Sequence, residues 1–246
     1  MPATKYRVYQ WGPRVLTAAG QPAGATGAAR VAIAGVAKKA TAADPYIVVN
    51  EVVCNALARS LVLPCPPGAT LDNAGETYFF SLDFSLAGQA LPPVDPVAVV
   101  AAFPRLSWGI ILFDSLVMNH DRHTANLAHD TSTSRVQIFD HSHALLQAGA
   151  GDISAMLAAA DGQLCIGGHC LAQEINDIDG LDMWAERIAL IPDFFIEDVM
   201  EAATTVGLPN NKKLECIDFM KKRRSEMGSI VENHIGQFPK LPKVTP

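Results

Sequence analysis

Asp121, Asn126 and Asp140 are the residues around which this sequence can organise chemistry. They sit in FDSLVMNHDRHTANLAHDTSTSRVQIFDHSHALL, residues 113–146, which also holds five of the chain's seven histidines. Asp121 and Asn126 follow a helix-like apolar run and therefore fall in a loop. Asp140 closes the apolar run VQIF, so it emerges at a strand end. A loop and a strand end of this kind form a hairpin-like unit that can point all three side chains into one cleft. Two carboxylates held about 4 Å apart repel each other by about 4 kcal/mol at an effective dielectric near 20. A divalent cation between them turns that penalty into attraction, and oxygen donors of this type suit Mg²⁺. Phosphoryl transfer asks for this equipment: metal-neutralised phosphates, an Asp that takes the acceptor proton, and a Lys on the donor phosphates.

The spacing is that of kinase catalytic loops, in which an Asp, four intervening residues and an Asn precede a second, metal-binding Asp. Here Asp121, RHTA and Asn126 precede IFDHS with Asp140. A kinase also needs a strand Lys facing a helix Glu. VAKK supplies Lys38 and Lys39, between which the sequence does not choose, and VVNEVVCNALARSL supplies Glu51. Gly20, Gly24 and Gly27 fall where a phosphate-covering loop belongs, before the lysine strand, although they do not spell the usual glycine motif.

NHDRHTANL and IFDHSHAL resemble the catalytic and metal loops of the HipA-like kinases and, more distantly, those of the phosphatidylinositol kinases. VVNEVVCNALARSLVLPCPPG resembles the HipA-like helix whose Glu faces the nucleotide lysine. The resemblance spans roughly residues 31–146. It implies an α+β, bilobal protein-kinase-like fold with a small strand-rich N-lobe and a larger helical C-lobe. It also implies ATP and Mg²⁺ as cofactors, Asp121 as catalytic residue, and Asn126 and Asp140 as metal ligands. Lys38 or Lys39, Glu51, Gly24 and Gly27 would bind the nucleotide, and a protein Ser/Thr hydroxyl would accept the phosphate. The metal motif reads FDHS, without the glycine usual after the Asp, and the chain is short for a HipA-like protein, leaving room for a partner protein that completes or regulates it.

Two rival readings come from other classes. A pseudokinase would keep the fold, and the nucleotide, without turnover. A His-rich metal-dependent phosphohydrolase would use pairs such as His120–Asp121 and His129–Asp130, but would leave Asn126, Glu51 and the lysines unexplained. Taken singly, Asp121 is also an ordinary loop Asx residue, and Glu51 a first-turn carboxylate favoured by the helix dipole. CIGGHC, residues 165–170, gathers two thiols and His169 but lacks a second cluster for zinc, and reads as a buried loop.

The elements that must position these residues follow the hydrophobic pattern. Strands are expected over KYRVYQWGPRVL and over Arg30–Ala37, separated by a Gly/Ala-rich loop, and again over Thr77–Leu86. Helical spacing runs from Ile47 to Leu63 and stops at PCPPG. LPPVDP, Leu91–Pro96, marks the lobe boundary, giving an N-lobe over 1–90, a C-lobe over 91–240 and a frayed tail over 241–246. Two helical pieces divided near Pro104 come next, and three more helices fill the C-terminal third.

Bulk properties narrow the classes. Apolar residues make up 49% of the 246 and charged residues 18%, as in an ordinary globular protein. A net charge of −6 disfavours nonspecific nucleic-acid binding. The one basic run, KKRRSE at 221–226, reads as the solvated side of a late helix. Five scattered cysteines point to a reducing cytoplasm rather than a disulfide framework. No apolar run reaches membrane-spanning length, since the one near Pro104 carries Arg105 and Asp114.

Overall fold

The computed structural model describes residues 35–83, 92–131, 133–146 and 151–242. The expected strand over KYRVYQWGPRVL and the three glycines at 20, 24 and 27 lie outside them. The described chain begins with strand β1 (Gly35–Lys39), helix α1 (Ile47–Ser60) and strands β2 (Gly68–Asn73) and β3 (Glu76–Leu82). The strands form an antiparallel sheet in the order β1-β3-β2. The sequence pattern does not show β2, because GATLDN has little β-propensity of its own. Its turn makes the strand: Ala74 and Gly75 both have positive φ, 53° and 83°, between the paired Asn73 and Glu76. That is the two-residue turn whose twist matches a hairpin.

β1 runs two residues further than expected, so both lysines lie within the strand. Successive side chains of a strand point to opposite faces, and this places Lys38 towards α1 and Lys39 away from it. α1 buries Val49, Val53 and Leu57 in the main core and packs on α6 as well as on the sheet. Burying each such side chain is worth about 1.5–3 kcal/mol. Of the sheet's large side chains only Phe79 is fully enclosed, so α1 joins the thin sheet to the larger helical mass.

Beyond the proline-rich link come α2 (Pro96–Ala102) and α3 (Pro104–Leu116), each with proline at its first position, where a missing N–H costs nothing. The Asp95 carboxylate accepts from Val97 N–H to cap α2. The two helices meet at a bend of 116°, and no single helix among the described residues is long and apolar enough to cross a membrane. α3 is buried along most of its length. Next comes a hairpin of β4 (Leu127–Asp130) and β5 (Arg135–Ile138), then α4 (Ile153–Ala160), which the sequence pattern does not anticipate. The helices expected near the C-terminus are α5 (Leu181–Ala189), α6 (Asp193–Thr204) and α7 (Lys213–His234). α5 lies so close to α3 that a Cβ on Gly109 would come 2.3 Å from the Trp184 ring.

One expectation for the C-terminal region needs correction. In KKRRSE only part of the run is solvated. Lys221 and Arg224 pair with Asp193, Lys222 pairs with Asp161, and Arg223 turns inward, 2% exposed. Its guanidinium donates to the carbonyls of Ser115, Ala160 and Gln163. After α7, Phe238 and Leu241 are buried, and the Phe238 ring packs at a tilt against Trp108 with centroids 5.0 Å apart.

Candidate active site

The hairpin register builds the first half of the site. Leu127 pairs with Ile138, so the next residues outward, Asn126 before β4 and Phe139–Asp140 after β5, stand side by side. Arg122 locks them there. Its Nη1 donates to the carbonyls of Asn126 at 2.6 Å and Phe139 at 2.7 Å. The rest of the guanidinium meets Asp114, with Nε to Oδ2 at 2.8 Å and Nη2 to Oδ1 at 3.0 Å. Both side chains are wholly buried. Asp114 also accepts from Asn119 Nδ2 at 2.8 Å, and His169 Nε2 lies 3.1 Å from its Oδ2. His169 Nδ1 accepts from the N–H groups of Leu171 and Ala172, so Nε2 carries the proton given to Asp114. Burial by itself pushes the Asp114 carboxyl up; the Arg122 charge and the His169 and Arg122 hydrogen bonds outweigh it and hold it well below the usual range.

This brace fixes the loop that carries Asp121. Asn119 Oδ1 accepts from Asp121 N–H, and Asn126 Nδ2 donates to the Asp121 carbonyl at 2.8 Å and to its Oδ2 at 3.2 Å. Asp121 and Asn126 are therefore in direct contact, with the Asp121 side chain 41% exposed and open to a substrate. Val94 N–H, in the proline-rich link, donates to the Thr124 carbonyl at 3.0 Å and ties the link to this loop.

The second half centres on Lys38. Its Nζ donates to Glu51 Oε1 at 2.6 Å, Asp140 Oδ1 at 2.7 Å and Ser142 Oγ at 3.0 Å. Lys39 instead reaches the exposed Glu76 on the neighbouring strand. Glu51 lies one turn into α1, so its partner is the lysine rather than the helix dipole. It also accepts from His141 N–H at 3.1 Å, and the His141 ring Nδ1 stands 3.8 Å from Oε2, longer than a hydrogen bond. Burial alone would raise the Glu51 carboxyl; His141 and Lys38 together bring it down to about 2. Asp140 behaves likewise: burial raises it, the Lys38 charge outweighs burial, and the carboxyl ends below its ordinary value. Lys38 is lowered by burial but raised more by Glu51 and Asp140, and ends above its own.

Asp140 has φ of 58°, in the left-handed region. Asp tolerates that region better than most residues. The chain thus turns at the carboxylate itself, and the glycine missing after it is not needed there. Asn50 secures the segment beyond this turn, donating to the carbonyls of Ser142 and Leu146 and accepting from Leu146 N–H.

Above Lys38, Glu51 and Asp140 opens a cleft of about 220 Å³ walled by Val36, Phe79, Leu82 and Phe139. Flat apolar walls over a cation and two carboxylates suit a nucleotide, with its base between the walls and its phosphates at the lysine. The donors also fit Mg²⁺. Asp140 Oδ2 and Asn126 Oδ1 accept no hydrogen bond among the described residues, and both are hard oxygen ligands. The histidines do not converge. His129 packs edge-to-face with Phe103, His141 does so with Phe113, and His123 Nδ1 accepts from Ala125 N–H. No three His, Cys, Asp or Glu side chains stand close enough to hold a metal among the described residues, which removes the basis of the His-rich hydrolase and of a zinc site at CIGGHC.

Sequence reasoning missed Asp114, Arg122, Asn50 and Ser142, and placed His169 in a buried loop without its partner Asp114. An Asp inside the apolar run WGIILFDSL was the available signal for the first, since a buried carboxylate demands a buried cation nearby.

No family model matches the sequence, and no curated protein matches it either. Among solved structures, the Helicobacter pylori proinflammatory kinase CtkA overlays with a TM-score of 0.56 at 15% identity, over 82% of this chain and 90% of that one. HipA, solved with HipB and operator DNA from the Shewanella oneidensis toxin–antitoxin system, overlays at 0.43 and 13% identity, over 85% of this chain and 60% of that one. The CtkA overlay shows that this chain has the α+β, protein-kinase-like fold.

Proposed function

We propose that the chain is an ATP- and Mg²⁺-dependent phosphotransferase of HipA-like type that acts on a protein Ser/Thr hydroxyl. Residues 1–90 would serve as its nucleotide lobe and 91–240 as its catalytic lobe. One observation carries this reading: a single ammonium, Lys38, joins Glu51 of α1 to Asp140 at the floor of a cleft, with the Asp121–Asn126 pair clamped beside it. Lys38, Glu51 and Asp140 come from three separate segments and meet at that ammonium, which supports the reading.

Each residue has a part. Lys38, steadied by Glu51, grips the donor phosphates. Asn126 and Asp140 would hold Mg²⁺, which when bound neutralises charge on those phosphates. Asp121, oriented by the Asn126 amide, accepts the proton of the attacking hydroxyl as its oxygen bonds to the transferred phosphorus and the bond to the nucleoside diphosphate breaks. Gly24 and Gly27 are assigned to the phosphate-covering loop on their place in the sequence alone. The acceptor class rests on the motif likeness, and a partner protein completing the substrate platform is compatible with the chain's length. The five thiols are all unpaired, which suits a reducing, cytoplasmic setting.

The test is transfer from labelled ATP with Mg²⁺. Asp121→Asn is expected to lower transfer by about 10²–10⁴-fold while Mg-nucleotide still stabilises the protein. Asp140→Ala is expected to abolish that stabilisation. Nucleotide stabilisation without any transfer would leave a binding module, and wild-type affinity in Asp140→Ala would overturn the metal assignment.

A further inference from the structure

In the phosphotransferase reading, metal entry takes a partner away from Lys38. An ammonium has three N–H donors, and all three are spoken for, by Glu51 Oε1, Asp140 Oδ1 and Ser142 Oγ. A phosphate oxygen that takes one of these donors has to displace one acceptor, and Asp140, with its side chain 36% exposed against 5% for Glu51, is the one free to turn away towards a metal. The ammonium is then held by the two remaining acceptors. One of them, Ser142, lies in the IFDHS stretch but has no role in the Asp–Asn–Asp spacing.

We propose that Ser142 is a positioning residue for Lys38, holding the ammonium in place while Asp140 exchanges it for metal. Three observations carry this. The residue is buried, at 9% exposure, so water does not readily take the place of its hydroxyl. It accepts from Lys38 and donates its own hydrogen to Glu51 Oε1 at 3.2 Å, which closes a three-membered ring of polar contacts around one carboxylate oxygen. Its backbone is fixed independently, because Asn50 Nδ2 donates to the Ser142 carbonyl at 2.7 Å. The serine is thus anchored to α1 by its main chain and offers its side chain to the lysine. Removing the hydroxyl leaves Lys38 leaning on Glu51 alone once Asp140 has turned to the metal. A charged hydrogen bond of this kind is among the stronger ones.

The inference rests on the phosphotransferase reading for its role and on the ligand-free network for its geometry, and the two are tested apart. Binding of a non-hydrolysable Mg-ATP analogue is measured by calorimetry. Ser142→Ala is expected to weaken it about tenfold, and Ser142→Thr, which keeps the hydroxyl, to restore most of the loss. Unchanged binding in Ser142→Ala, or a loss that Ser142→Thr does not recover, would overturn the proposal.

The second arm needs no nucleotide. A double-mutant cycle of Ser142→Ala with Lys38→Met is read by urea denaturation. It is expected to show coupling of about fivefold or more in the unfolding equilibrium, whereas a serine that merely fills space would give additive effects and sink the idea. Should Ser142→Ala not fold, Ser142→Cys, with its poor acceptor, replaces it in both arms. If the unsubstituted protein binds no nucleotide, the phosphotransferase reading falls and the cycle alone decides whether Ser142 holds Lys38.

Discussion

Lys38 and Asp140 lie 102 positions apart in sequence and 2.7 Å apart in space. That contact joins strand β1 to the turn after β5, and it decides between two adjacent lysines that composition could not separate. The alternation of the strand is the cause: Lys38 faces α1 and Glu51, while Lys39 faces Glu76 at the surface.

Substituting the two lysines should therefore give opposite results. Lys38→Met is expected to weaken Mg-nucleotide binding at least tenfold, about 1.4 kcal/mol, and to abolish transfer. Lys39→Met is expected to change neither, and a thermal shift series with nucleotide distinguishes them. Equal losses from both would remove Lys38 from its assigned place.

The Arg122–Asp114 pair is expected to be the most sensitive structural element near the site. Arg122→Leu leaves a buried carboxylate without its cation and frees the carbonyls of Asn126 and Phe139. Losing one partner of such a pair costs about 3–5 kcal/mol. At about 2–4 °C per kcal/mol for a chain of this size, melting should fall by roughly 10 °C or more. A drop of only one or two degrees would contradict the brace.

Acid should loosen the cleft through Glu51. Its folded pKa, about 2, lies below the ordinary 4.5. Its contribution is therefore complete above about pH 5 and disappears as pH falls towards 2. At about 1.4 kcal/mol per pKa unit this is on the order of 3 kcal/mol. Asp140 adds in the same direction. Lys38, raised above 10.5, contributes fully at neutral pH and is lost only when alkali passes its folded value. Urea denaturation from pH 6 to 2.5 should show wild-type stability falling more steeply than that of Glu51→Gln, and parallel curves would refute the assignment.

Asn50→Ala should release the segment after Asp140. The amide makes three hydrogen bonds to that segment from a fully buried position, and leaving such groups unsatisfied costs about 1–3 kcal/mol each. Hydrogen exchange at residues 141–146 is expected to accelerate well beyond that in α7. Uniform protection across both would show that other contacts hold the segment.

Much of the proposed site rests on residue types and short spacings of the kind kinase chemistry asks for. Asp121, Asn126 and Asp140 lie within one hairpin unit, so local order alone placed them. Glu51 followed from helical spacing at Ile47–Leu63. Less was legible where the cause is distant. β2 exists because β3 pairs with it, not because GATLDN favours a strand. Arg223 sits in a basic run that composition assigns to the surface, yet carbonyls of the α3 and α4 regions draw it inside. Likewise Ser142 and His169 are ordinary residue types in their own stretches of chain, and only contacts made across the molecule give them their partners.

The sequence by itself carried the apolar periods and the Asp–Asn–Asp spacing, which are properties of neighbours along the chain, and its likeness to the HipA-like kinases implied the fold class. Tertiary structure alone decided which lysine faces Glu51, how the buried Asp114–Arg122 pair braces the loop that carries Asp121, and that Ser142 joins the Lys38 network. Those outcomes depend on strand faces and on burial, where a charge or hydroxyl cut off from water must take whatever partner the fold brings within about 3 Å.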